Sequence, residues 1–168
     1  LYSIALPIRI TETREYSANY FQTTLSGLAV NIVTQSEEDQ EESKRGSRIE
    51  DGFSQLPLQL SIPEIGEIKV AVTVYRDKDK DGKLFDRGRI PHGVVFNLNG
   101  QVHDQHGSVF IRDKLRYGSL DKHMLVAVEC TGMTADAQDD FFTPARDRTV
   151  DDAVKKQVTE ELIHHMSH

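Results

Sequence analysis

Two arginines, Arg146 and Arg148, flank Asp147 in the segment FFTPARDRTVDD at 141–152. A guanidinium is always charged and presents a rigid fork of donors, so two of them on one loop suit a phosphate. The ordinary alternative is that both pair with Asp147, Asp151 or Asp152 in a solvated loop. A second pattern, YRDKDKDGKLFD, sets Asp77, Asp79 and Asp81 at alternate positions ahead of Gly82. Alternate carboxylates followed by glycine are how a calcium loop begins. Its twelfth position, where a bidentate Glu is needed, is Gly88, and Lys78, Lys80 and Lys83 offset the acidic charge. The three aspartates are therefore weak metal candidates, and a charged strand-to-strand loop fits them better.

Histidines and the lone thiol offer less. His103 and His106 lie three apart, and His164, His165 and His168 crowd the C-terminus. Zinc needs three or four ligands in fixed geometry, and Cys130 is far in sequence from both groups. Cys130 ends the apolar run MLVAVEC, where a free cysteine behaves as a small hydrophobe. The chain holds no G-x-S-x-G, no G-x-x-x-x-G-K-[ST] and no G-x-G-x-x-G, so nothing points to a hydrolase elbow, a P-loop or a dinucleotide fold.

The elements that must carry these groups follow from periodicity. IALPIRI (4–10) and YFQTTLSGLAVNIV (20–33) read as strand segments, with Gly27 at a turn or bulge. LPLQLSI (56–62) and IKVAVTVY (68–75) alternate around a short PEIG turn and predict a hairpin. GVVFNL (93–98) runs into the Asn99-Gly100 turn signal, and SVFIRDKLR (108–116) has helical spacing closed by Gly118. MLVAVEC (124–130) is the most apolar strand and is expected at the centre of a sheet. Thr134 is the expected N-cap of a short helix to Phe142, broken by Pro144. A final helix over about 151–166 carries the stripe Val150, Val154, Val158, Leu162, widened by Ile163 and Met166. Strands come first and 134–168 is helical, so the fold expected is α+β, a mixed sheet backed by helices.

Composition sets the outer limits. The 168 residues are 38% hydrophobic and 28% charged, with one Cys and no Trp, which suits one domain and excludes a disulfide scaffold. No apolar run approaches the roughly 20 residues of a membrane span, and a single thiol fits the cytoplasm. Seven acids against three bases at 35–51 supply -4 of the net -7, and that stretch is expected to be a mobile loop. The acidic balance gives no support to nucleic-acid binding. The chain opens at Leu1 rather than Met, and 1–168 is expected to be one domain of a longer protein.

Several segments together carry a resemblance: ALPIRI, FQTTLSGLAV, EDGFSQLP, GVVFNLNGQVHD and LVAVECTGMTADAQDDFFTPARDR. From Ile4 to about Arg148 the chain resembles the domain that follows the ATP-binding module in bacterial GHKL-type ATPases. These are relatives of gyrase B, the mismatch-repair protein MutL and the ninety-kilodalton heat-shock chaperone. The resemblance implies a transducer-like fold (ribosomal protein domain 2-like) and a basic residue delivered to the γ-phosphate of ATP. That role falls on Arg146, with Arg148 as the near alternative. The family's NGQxHG stands here as NGQVHD, with Asp104 in place of Gly, and its SRDR as ARDR. The family's adenine-binding Asn helix and D-x-G-x-G loop do not occur in the chain. The resemblance thus implies ATP and Mg2+ held mainly by an upstream ATP-binding domain, with a possible homodimer, and a chain that is not catalytic alone. Two other readings stay open: an interaction module recruiting a client through its sheet or acidic loop, and a calcium-stabilised domain.

Overall fold

The computed structural model describes residues 8–12, 21–25, 58–76, 92–142 and 153–166. Two strands, β1 (Ile8–Glu12) and β2 (Phe21–Leu25), pair antiparallel with Ile8 opposite Leu25. Among the described residues five further strands form a mixed sheet: β3 (Leu58–Ile62), β4 (Gly66–Val74), β5 (Gly93–Leu98), β6 (Gln101–His106) and β7 (Met124–Glu129). Their spatial order is β3-β4-β7-β5-β6. Among the described residues three helices accompany them: α1 (Ser108–Asp113), α2 (Ala135–Phe142) and α3 (Ala153–Met166). The class is α+β.

Strand β7 lies at the centre, antiparallel to β4 and parallel to β5. A strand covered on both faces reads as an unbroken apolar run, and Met124 to Val128 are all buried. Alternate residues divide between the two faces. Ile68, Val70, Val94, Phe96, Val126 and Val128 join Ile111 of α1, Phe141 of α2 and Leu162 of α3 in the main core. Val95, Leu125 and Ala127 turn the other way and cluster with Tyr75. Each such side chain, fully buried, contributes about 1.5–3 kcal/mol.

The connections obey their turn chemistry. β3 and β4 form the expected hairpin, with Leu60 opposite Ile68. Asn99 and Gly100 both take positive φ, 51° and 78°, as a two-residue hairpin loop with strand-matching twist requires. That hairpin pairs Leu98 with Gln101 and continues along β6, a strand the sequence pattern does not announce. From β6 the chain passes through α1, which falls within the helical spacing of 108–116, to β7. Thr134 caps α2 by accepting the Ala137 N–H at 3.3 Å. None of the described helices is long and apolar enough to cross a membrane.

Candidate functional site

The residues singled out for phosphate chemistry, Arg146 and Arg148, lie outside the described residues, between the end of α2 at Phe142 and the start of α3 at Ala153. Asp77, Asp79 and Asp81 also lie outside them, as does the acidic stretch 35–51. What is described is the frame from which the arginine-bearing connection leaves and to which it returns. That frame centres on the β5–β6 hairpin.

Both flanks of the connection reach neighbouring residues of β6. The ring of His103 stands 4.9 Å from that of Phe142, the last residue of α2. The next residue, Asp104, forms an ion pair with Lys155, in the first turn of α3. Phe141 lies beneath this arrangement, with its ring 5.2 Å from Phe96 of β5 and 5.9 Å from the Lys155 ammonium. A cation over an aromatic face gains from the ring quadrupole as well as from its carboxylate. On the other side His106 stacks on Phe110 of α1 at 4.8 Å and meets the edge of Phe96 at 5.6 Å.

The electrostatics favour a charged Asp104. Burial alone would raise its carboxyl, but Lys155, the Gln105 backbone N–H at 2.8 Å and nearby His106 outweigh that and hold it below the ordinary Asp value. The Lys155 and Asp104 side chains are 31% and 29% exposed, so the pair is less screened than a surface contact.

A second feature joins the ends of three strands. After β7 the chain turns through Cys130–Thr134, where the Cys130 N–H donates to the Asn97 carbonyl and the Glu67 N–H to the Gly132 carbonyl. A Cβ on Gly132 would come within 2.6 Å of the Glu67 carbonyl oxygen, so this approach requires glycine. The Glu129 carboxylate accepts the Thr131 N–H and hydroxyl, and the Thr131 oxygen accepts the Asn99 N–H at 3.0 Å. The loop ECTGMT after β7 is thereby held to the start of β4 at Glu67 and to the end of β5 and its turn at Asn97 and Asn99.

Other candidates resolve as structural groups. Cys130 is buried, and burial, with Glu129 adding to it, pushes its thiol up to about 12. A protonated, enclosed thiol is no nucleophile. Among the described residues no three His, Cys, Asp or Glu side chains converge to hold a metal ion. His164 and His165 stand edge to face near the end of α3, where positive charge suits the helix dipole.

Lys155 escaped the sequence pattern, yet it left a signal. Lys155 and Lys156 occupy the first turn of a helix that carries no acid there, where the helix dipole disfavours cations. Lys156 meets Glu160 of its own helix, and Lys155 meets Asp104 of β6. Comparison with protein-family models, with curated proteins and with solved structures finds no match to this chain.

Proposed function

We propose that this chain is the ATPase-coupling, transducer-like domain of a GHKL-type ATPase, acting on ATP and Mg2+ held in an upstream module. Arg146, or Arg148 beside it, contacts the γ-phosphate. A guanidinium there offsets the charge that gathers on the phosphoryl oxygens as the bond to the leaving group breaks. The domain then relays nucleotide state as movement or dimer closure in the cytoplasm. It completes an active site rather than containing one.

One observation carries this reading. Two segments of the resemblance far apart in sequence, NGQVHD and the DDFF that precedes ARDR, meet in the fold through His103 and Phe142. A mixed sheet backed by helices, with β5 and β7 parallel at its centre, is compatible with it.

The test is ATP turnover by the upstream ATP-binding module with and without this chain added in trans. Turnover rises on addition, and Arg146→Ala loses most of the gain, with Arg148→Ala deciding between the two arginines. A chain that leaves turnover unchanged, or a double variant that stimulates as well as the parent, overturns the reading.

A further inference from the structure

Helix α3 is attached to the sheet in two unequal halves. Its later turns are fixed by the buried Val158, Leu162 and Met166, and the Tyr117 hydroxyl donates to the Met166 carbonyl at its end. Its first turn has no fully buried side chain: Ala153 is exposed, Val154 is half-buried, and Lys155 makes the ion pair with Asp104. The first turn therefore rests on Val154, partly buried against the core, and on Lys155, which meets Asp104 and the Phe141 ring, while the later turns hold the fully buried side chains. The helix dipole works in the same sense, because it disfavours a cation in the first turn and a carboxylate beside that cation offsets the penalty.

We propose that Asp104 is a positioning residue and that its pair with Lys155 is a releasable latch. When the latch is closed, the first turn of α3 lies on β6. When it opens, that turn comes away while the later turns stay anchored through Val158 and Leu162. The first turn is also where the chain returns from the segment carrying Arg146 and Arg148, so the latch regulates that site; this last step rests on the ATPase-coupling reading.

Amide exchange by NMR on the whole chain tests the latch. The first helical hydrogen bonds are donated by the amides of 157–159 to carbonyls of the first turn, so those amides report its docking. Asp104→Asn and Lys155→Met each speed their exchange about fivefold, the effect of roughly 1 kcal/mol. Amides at 161–164 stay within about twofold, since local opening need not spread to the anchored half. The double variant is no faster than either single one, and Asp104→Glu restores the slow exchange. Lys155→Met serves alone if Asp104→Asn does not fold. Equal exchange in all variants, or equal acceleration along the entire helix, overturns the latch. Turnover in trans separates the two claims. If exchange changes as described but neither parent nor variants stimulate ATP turnover, the coupling reading fails and the latch stands. If the parent stimulates and the variants stimulate equally, the regulatory step fails.

Discussion

Asn97 of β5 donates its side-chain amide to the main-chain carbonyl of Val128 on β7, 3.1 Å away, across the parallel pair at the centre of the sheet. It has no solvent exposure, and its Oδ1 has no partner among the described residues. The amide N–H is thus the only part of the side chain with a compensating bond there. Replacing it with a carboxylate sets a second acceptor against the Val128 carbonyl and buries an uncompensated charge. Asn97→Asp is expected to cost about 3–5 kcal/mol at neutral pH. Urea melts of both proteins measure this, and a loss under about 1 kcal/mol would mean that Asn97 is not enclosed as described.

Gly93 and Gly107 respond in opposite directions. Gly93 opens β5 at φ 112°, and a Cβ there would stand 2.3 Å from the His106 carbonyl oxygen. Gly93→Ala combines a strained backbone with a clash against β6, and a loss of about 1–3 kcal/mol is expected from the backbone alone. Gly107 precedes α1 in an extended conformation without a side-chain cap, and a Cβ there meets open space. Gly107→Ser supplies a hydroxyl that can accept the Val109 N–H, since the Phe110 N–H already donates to the Gly107 carbonyl, and stabilises by a few tenths of a kcal/mol. Thermal melts of the two variants should move apart; a downward shift in both would locate the constraint elsewhere.

Much of this fold is legible in the sequence because its buried strands carry their signal locally. The alternation of LQLSI and IKVAV gives the β3–β4 hairpin, and the unbroken run at Met124 gives the central strand. The late helices announce themselves through Thr134 and the Val158–Leu162 stripe. Strand β6 does not, because QVHDQH has one aliphatic residue and no fully buried position. It is a strand because the Asn99-Gly100 turn folds it onto β5, a pairing decided by the partner rather than by its own composition. For the same reason the Asp104–Lys155 pair is invisible until the sheet brings β6 under α3. Arg146 and Arg148 are chosen by charge, spacing and resemblance alone, and their surroundings lie outside the described residues.

Cys130 gives a direct readout of core opening. It is the chain's single thiol, it is fully buried, and it stays protonated at neutral pH. A thiol-specific disulfide reagent at pH 8 should label the native protein no faster than it opens, and should label one thiol at once in denaturant. Immediate labelling without denaturant would revive Cys130 as a reactive group.

The acid limb of stability should carry the signature of Asp104. Its folded carboxyl lies below the ordinary value because Lys155 on α3, the Gln105 N–H and His106 on β6 together outweigh the effect of burial. A depressed carboxyl contributes stability that is fully present above its unfolded value, about 3.9, and is lost as pH falls through the folded value. The stability gap between the parent and Asp104→Asn is therefore expected to hold from about pH 7 to about pH 5 and to close below about pH 4. Urea melts of both proteins across this range decide the matter. A gap already closing at pH 6, or one that widens below pH 4, would remove Asp104 as the group responsible.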